Sequence, residues 1–285
     1  MDWVETLNRA LDYIESNLQE TMTCAMIADH AYISNAHLQR GFYSLTGLTV
    51  SEYVRNRRLT LAGHELSTEN AKVIDVALKY GYETPESFSK AFSRFHDVTP
   101  SQAKRKGVNL KSFNRLTVKI IMEGGSVMDY RIEKKEAFNV VVKAKLFNEN
   151  NSVSDDGGTN EIPAFWDEYF ARGLGEKVSP DLGVCGEVMP ECKTFKYGIG
   201  GVEEKADKIP DGFEKWTIPA NTWAVFKCVG AMPDAIQKMW KRIYGEWLPQ
   251  ASYELVPSYD FEYYTEGDVN SPDYISEIWV PVKEK

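Results

Sequence analysis

The chain has 285 residues, 43% of them hydrophobic and 26% charged, and a net charge of −9 at pH 7, which is typical of a soluble globular protein with room for two domains. Its apolar runs are only a few residues long, which excludes a transmembrane helix, and the start of the chain lacks the basic and apolar regions of a signal peptide. The four cysteines are widely spaced, so we expect reduced thiols in a cytoplasmic protein without metal or cofactor; a disulfide between Cys185 and Cys192 remains open.

The acidic residues are unevenly distributed along the chain. Residues 1–107 hold 12 Lys and Arg against 13 Asp and Glu, so most of the negative charge belongs to the remainder. Basic residues of this first part cluster at Arg40, Arg55, Arg57, Arg58, Lys90, Arg94, Lys104, Arg105 and Lys106. One face can therefore be basic although the chain is acidic, and contact with nucleic acid is supported by position rather than by net charge.

Residues 1–107 predict a series of helices. Apolar residues at spacings of three and four predict helices over 3–18, 35–45 and 85–94. Further helices are predicted over 22–31 and 74–80, a long helix begins at Thr49 or Ser51, and a last basic helix begins at Ser101. Residues that cap helix N-termini precede several of them: Thr21 or Thr23, Ser34, Thr49 or Ser51, and Thr84.

A short pattern occurs twice in this part. Leu38, Phe42, Thr49 and Ser51 each have a counterpart 50 positions later, which are Phe88, Phe92, Thr99 and Ser101. In each copy a short helix with a small residue, Ala28 or Ala77, precedes a turn, a cap and a second helix with one buried face. This order is typical of the helix-turn-helix, whose second helix enters the DNA major groove. A plain helical hairpin is the alternative, and the duplication disfavours it.

Residues 1–107 resemble the DNA-binding domain of AraC/XylS-type transcription regulators. The run 77–100 carries the resemblance, with Gly81-Tyr82, Ser87-Phe88, Phe92 and Val98-Thr99-Pro100. The resemblance implies a seven-helix unit in which a long helix over 51–66 joins two helix-turn-helix motifs. It also implies recognition helices in successive major grooves, with base contacts from Ala36, Gln39 and Arg40 in the first. The matching outward positions of the second are Pro85, Glu86, Ser87 and Lys90, and Arg94 is expected to contact phosphate. Glu86 could accept a hydrogen bond from cytosine or only interact with the helix dipole. Pro85 and Glu86 depart from the long polar donors common in the family, and Glu86 repels phosphate, so we expect the first helix to read more of the sequence.

The remaining chain predicts a linker over 108–127 and a second domain over 128–285. The linker contains a strand or docking segment at 116–122 and the hinge Glu123-Gly124-Gly125-Ser126. Strands are predicted over 130–133, 138–147, 182–188, 194–202, 214–218, 223–229, 259–264 and 275–282, and helices over 161–172 and 232–247. The order strand–helix–strand–strand occurs twice, so the fold class is an all-α double helix-turn-helix domain followed by an α+β domain.

The second domain resembles the GyrI-like effector-binding domain, and the two domains in this order resemble the Rob-type regulators. The matching strings are 216–226, Trp247-Leu248-Pro249, 261–264 and 277–281. The resemblance implies a cleft that binds organic, often cationic molecules, with an acidic residue at the position of Glu277. Alternation along a strand places Glu277 and Trp279 on one face. We expect ligand contacts from Trp166, Tyr197, Trp223, Tyr263, Glu277 and Trp279, and core packing for Trp240 and Trp247. Glu277 could instead be an exposed strand residue.

These observations predict a transcription regulator that binds double-stranded promoter DNA and is controlled by a small organic effector, with RNA polymerase as a further partner. The effector would alter the docking of the two domains or the contact with polymerase. Two alternatives remain: a small-molecule hydrolase and a ligand-independent activator with a rigid second domain. All four histidines lie in the first domain and no Ser-His-Asp set is recognisable in the second, so we expect no enzymatic activity.

Overall fold

The computed structural model describes residues 3–68, 71–105, 107–118, 127–148, 161–189, 194–205 and 209–285. The first part is helical, as predicted: α1 (Trp3–Ser16), α2 (Cys24–His30), α3 (Asn35–Thr46), α4 (Val50–Thr68), α5 (Val73–Lys79), α6 (Pro85–His96) and α7 (Pro100–Ala103). The predicted basic helix at Ser101 corresponds to α7, which ends before Lys104, while Lys106 lies outside the described residues. No helix in the described ranges is long and apolar enough to cross a membrane.

The predicted caps hold the ends of the helices. The side chains of Thr23, Ser34, Thr49 and Thr84 each accept a hydrogen bond from the backbone N–H three residues ahead. At α4 the bond is reciprocated, because the Thr49 N–H donates to Glu52 Oε2 at 2.8 Å. Loss of one such cap destabilises a helix by about 1 kcal/mol.

The two helix-turn-helix copies share one turn geometry. Gly81 has φ +80° and Tyr32 has φ +57°, so the left-handed residue of the first copy is a tyrosine. In both turns the next N–H donates to the carbonyl of the small helical residue, from Ile33 to Ala28 and from Tyr82 to Ala77, each at 3.0 Å. The turns therefore superimpose at an offset of 49 rather than 50, and Glu83 is the extra residue of the second copy.

Each copy has its own core. Leu38 and Phe42 are buried with α1, α2 and Tyr53 in the first, and Phe88 and Phe92 are buried with α4 and α5 in the second, as predicted. The stretch 107–118 lies along these helices and forms no strand in its described part. The Leu116 N–H, for example, donates to the Tyr53 hydroxyl at 3.2 Å. This favours the docking-segment alternative for 116–118, while the predicted hinge lies outside the described residues.

His96 is a buried histidine beside the second core. Its Nε2 lies 2.9 Å from the Leu59 carbonyl oxygen, and its Nδ1 accepts the Lys111 N–H at 3.2 Å. Burial lowers the pKa of the imidazole below its ordinary value, although the Leu59 carbonyl acts in the opposite direction. A histidine with a lowered folded pKa binds fewer protons when folded than when unfolded, so its contribution to stability is lost as pH falls through about 6.5.

We therefore expect the free energy of unfolding to decrease on acidification from about pH 7.5 to 5.5, with His96 contributing at most about 1.4 kcal/mol per pH unit. Urea denaturation at a series of pH values measures this dependence. His96→Gln should flatten it, and His64→Gln, which changes an exposed imidazole, should leave it unchanged. Equal slopes in the wild type and His96→Gln would contradict the assignment.

The second part is an α+β domain, as predicted, built on an antiparallel sheet. Its strands are β1 (Tyr130–Lys135), β2 (Phe138–Asn148), β3 (Leu182–Met189), β4 (Thr194–Val202), β5 (Glu214–Ile218), β6 (Asn221–Val229), β7 (Tyr253–Leu255), β8 (Asp260–Tyr264) and β9 (Ile275–Glu284), and its α-helices are α8 (Glu161–Ala171) and α9 (Asp234–Arg242). The order is β1-β6-β9-β8-β3-β4-β2-β5, with β7 paired to β9. The three-residue β7 is too short for its alternation to be recognised in sequence, and α9 continues as a π-helical turn at Ile243–Trp247.

The sheet has an inner face and a helix-covered face. The ring of Phe138 on β2 lies 5.9 Å from that of Phe261, although β2 and β8 are separated by two strands, so the sheet curls around an aromatic core. Trp223 and Trp279 are buried in this inner core. On the other face, α9 packs over Ile278 and neighbours in β6 and β9, while α8 packs over β2 and β4. The space between α8 and α9 is where the site described next is formed.

The two domains are in apolar contact. Trp3 of α1 is buried in the same cluster as α9, and its ring lies 5.0 Å from that of Tyr244. Helix α3 passes so close that a Cβ on Gly41 would lie 2.9 Å from the Tyr244 ring and 2.6 Å from the Trp3 ring. Leu45 packs against Gly245 of the π-helical turn. The first predicted recognition helix therefore lies on the second domain.

Candidate functional site

The second predicted recognition helix, α6, exposes most of the side chains predicted to contact DNA. Glu86, Ser87, Lys90 and Arg94 are exposed, and Pro85 is half-buried at the first position of the helix. The Ser87 hydroxyl also donates to the Thr84 carbonyl oxygen at 2.9 Å, which ties it to the cap. Lys90 and Arg94 are thus the long basic side chains that α6 offers to a groove or backbone, and their contact with DNA stays a prediction.

The first predicted recognition helix has its outward face covered. Ala36, Gln39 and Arg40 point away from the core of their own domain, but all three line a cavity of about 600 Å³ between α3, α8 and α9. Gln39 Nε2 donates to Asn35 Oδ1 at 2.9 Å, and Asn35 is itself buried. The sequence of α3 could not show that a second domain lies against these side chains.

Arg40 is held by the second domain through charge and through a ring. Its Nη1 forms an ion pair with Asp260 Oδ1, and its Cζ lies 4.1 Å from the centre of the Trp240 ring. His37 Nε2 lies 3.3 Å from the other carboxylate oxygen of Asp260, which is only 2% exposed. Burial alone would raise the pKa of Asp260, but Arg40 and His37 hold it below its ordinary value. Asp260 is therefore a buried carboxylate that depends on α3 for its partners.

Glu262 is the polar centre of the cavity. Its Oε1 accepts the Trp240 Nε1–H at 2.8 Å, and its Oε2 accepts the hydroxyls of Tyr264 at 2.9 Å and Tyr197 at 3.2 Å. Burial, reinforced by the Glu262 charge, raises the pKa of both phenols well above the ordinary value, so they remain donors. Each donor to Glu262 among the described residues is neutral, so no cationic side chain compensates this carboxylate by hydrogen bonding.

Aromatic and acidic side chains make up much of the remaining lining. The Trp166 ring lies 4.9 Å from the Tyr264 ring, and its Nε1 donates to Tyr197 at 3.2 Å. Of the described lining residues, four carry carboxylates and one carries a basic group, namely Asp167, Asp181, Glu262 and Glu266 against Arg40. A cavity of this size with rings and excess negative charge suits an organic cation.

The predicted ligand residues separate into two groups. Trp166 and Tyr197 line the cavity. Trp223, Tyr263, Glu277 and Trp279 are not among its described lining residues, because they project from the opposite face of the sheet into or beside the inner core. The predicted shared face of Glu277 and Trp279 is present, since Trp279 Nε1 donates to Glu277 at 2.9 Å.

Glu277 already has a cationic partner outside the cavity. Arg131 donates to both of its carboxylate oxygens, at 2.7 and 3.1 Å. The positions that sequence reasoning missed are Glu262, Tyr264 and Trp240. The string Phe261-Glu262-Tyr263-Tyr264 contained a usable signal, because alternation puts Glu262 and Tyr264 on one face, but it did not indicate which face the helices cover. Trp240 is packed in the core, as predicted, and also lines the cavity.

Two families match this chain. Residues 131–282, more than half of the chain, match the family described as integron-associated effector binding protein, Cass2. Residues 27–106 match a helix-turn-helix domain family.

Relatives of the first domain are regulators. The HTH-type transcriptional activator AarP of Providencia stuartii is 39% identical over 95 residues, which are 33% of this chain and 70% of AarP. The multiple antibiotic resistance protein MarA of Escherichia coli (strain K12) is 30% identical over 95 residues, 33% of this chain and 75% of MarA. Among solved structures, SAV2435 bound to tetraphenylphosphonium is 22% identical with a TM-score of 0.46, covering 55% of this chain and 94% of SAV2435.

Proposed function

We propose a function from the premise that this chain belongs to the AraC-type DNA-binding regulators and carries an effector-binding domain of the integron-associated family. Its regulatory activity is controlled by a small organic cation bound in the cavity between α8 and α9. The observation that carries the proposal is Glu262, a carboxylate whose hydrogen-bond donors among the described residues are neutral, set among the rings of Trp166, Tyr197 and Tyr264. Charge attraction and cation–π contact would act together on such a ligand.

The DNA-binding part of the proposal is that both predicted recognition helices read a promoter. Lys90 and Arg94 support it from α6, since both are exposed on the helix that Thr84 and Pro85 position. Ala36, Gln39 and Arg40 would read from α3 once that helix is accessible. Contact with RNA polymerase stays a prediction.

Binding of tetraphenylphosphonium to the full chain, measured by isothermal titration calorimetry, tests the effector site. This probe carries a permanent positive charge and four phenyl groups, so it matches the acidic and aromatic lining. Its isosteric anion tetraphenylborate is the control, and we expect it to bind at least tenfold more weakly. Equal affinity for the two ions would remove charge recognition from the proposal.

Arg94→Ala tests the predicted phosphate contact. We expect weaker binding to a duplex selected from a random-sequence pool, a similar proportional loss on a scrambled duplex, and a salt-dependence slope smaller by about 0.9, because one phosphate contact is removed. Lys90→Ala should instead reduce the preference for the selected duplex. Fluorescence anisotropy at several salt concentrations measures the affinity for the selected duplex, the affinity for the scrambled duplex and the salt dependence of both. Lys134→Ala, which changes an exposed residue of the second domain, is the control. Unchanged binding in both α6 variants would contradict the assignment.

A further inference from the structure

The predicted DNA-reading residues of α3 and the proposed effector site occupy the same place in the molecule. Ala36, Gln39 and Arg40 are the three positions expected to meet bases, and all three line the cavity that contains Glu262. A helix lying on α9 cannot enter a major groove, which must admit its reading face directly. The arrangement seen here therefore leaves α6 accessible and hides α3.

Arg40 occupies the position that a cationic ligand would take. Its guanidinium lies over the face of Trp240, while the indole N–H of the same ring donates to Glu262. The buried carboxylate of Asp260 supplies its ion pair. The pKa of the Arg40 guanidinium is raised, although burial, the largest single effect, would lower it. The Asp260 carboxylate is the largest cause of the rise, and the Glu262 charge is close enough to add to it.

We propose that this arrangement is a closed state unable to bind its operator through α3, and that a cationic effector opens it by competing with Arg40 for Trp240 and the surrounding carboxylates. The proposal rests on the proposed function and adds the direction of its regulation. A second positive charge against Trp240 and Glu262 repels Arg40, so it binds the open state better than the closed one. A ligand shifts an equilibrium only by such a difference in affinity, and the coupling is reciprocal. An isosteric anion does not repel Arg40 and binds the acidic cavity more weakly, so it does not open the closed state.

Asp260→Asn tests the closed state without using a residue expected to touch DNA. It leaves the Arg40 guanidinium without its carboxylate in the closed state, whereas in the open state Arg40 is solvated. We expect at least tenfold tighter binding to the selected duplex in the absence of effector, and faster amide hydrogen exchange over residues 35–46. Glu136→Gln, which removes an exposed carboxylate of the second domain that is not among the described lining residues of the cavity, should change neither measurement.

A second variant opens the contact by sterics. Gly245 is exposed and faces Leu45, and a Cβ there would lie 3.3 Å from Leu45 Cδ2, so Gly245→Leu pushes against α3 without entering the core. We expect the same increase in hydrogen exchange and in DNA affinity as for Asp260→Asn.

The ions complete the test on the full chain. Tetraphenylphosphonium should raise the affinity of the wild type for the selected duplex at least fivefold, a factor within the usual range of coupling energies. It should also accelerate amide hydrogen exchange over residues 35–46. In Asp260→Asn it should change DNA affinity and hydrogen exchange little. Tetraphenylborate should do neither. The proposal is overturned if both variants bind DNA as the wild type does, or if the cation lowers DNA affinity. Absence of any sequence-specific DNA binding would refute the proposed function. Opening of the contact could still be measured, because hydrogen exchange needs no DNA.

Discussion

Glu262→Gln is expected to weaken the binding of tetraphenylphosphonium at least tenfold, which corresponds to about 1.4 kcal/mol or more. The substitution removes the negative charge at the centre of the cavity and keeps the shape of the side chain. It also replaces one acceptor by a donor against Trp240, Tyr197 or Tyr264, which already donate to this group. Isothermal titration calorimetry on the full chain measures the change, and circular dichroism checks that the fold is kept.

Glu277→Gln is the matched control for this experiment. It removes the same charge from the opposite face of the sheet, where Arg131 pairs with the carboxylate. We expect unchanged affinity for tetraphenylphosphonium, because Glu277 is not among the described residues that line the cavity. Loss of binding in Glu277→Gln together with full binding in Glu262→Gln would show that the resemblance located the carboxylate correctly and that the cavity is not the effector site.

Phe92→Ala is expected to destabilise the first domain by about 3–5 kcal/mol, the range for deleting a buried phenyl ring. Phe92 is fully buried, and its ring lies 5.4 Å from Phe88 and 4.3 Å from His96, so neighbouring rings cannot easily fill the space. This is a large part of the stability of an ordinary domain. Urea denaturation followed by circular dichroism measures it, and specific DNA binding should be lost because α6 is no longer held.

Phe170→Ala deletes the same group from the surface of α8, where the side chain is 58% exposed. We expect its cost to remain below about 1 kcal/mol. If the two variants lost equal stability, the burial of Phe92 would not govern the second helix-turn-helix.

The contact between the domains changes how variants of α3 should be interpreted. Arg40 is at once a predicted base reader, the partner of Asp260 and a neighbour of Glu262 in the cavity. Replacing it would alter the predicted DNA contact, the domain docking and the proposed effector site together. Asp260 and Gly245 belong to the second domain, so their substitution addresses docking while the predicted DNA-reading side chains stay intact.

The sequence by itself determined the local structure and the family. Some features depend only on neighbours within a few residues, so they are visible in the printed chain. They include helix caps such as Ser34 and Thr84, the buried helix faces through Leu38 and Phe92, and the alternation of β9. The fold class follows from the order of these elements together with the family resemblance.

Only the tertiary structure decided where the cavity and the hidden face of α3 lie. Alternation shows that Glu262 and Glu277 fall on defined sides of their strands, but which side the helices cover depends on how the sheet curls and where α8 and α9 return. Arg40 and Asp260 are 220 positions apart, and their pairing arises from the docking of two domains. Such long-range placement leaves no periodic pattern in the sequence, because each partner is an ordinary charged residue until the chain brings them together.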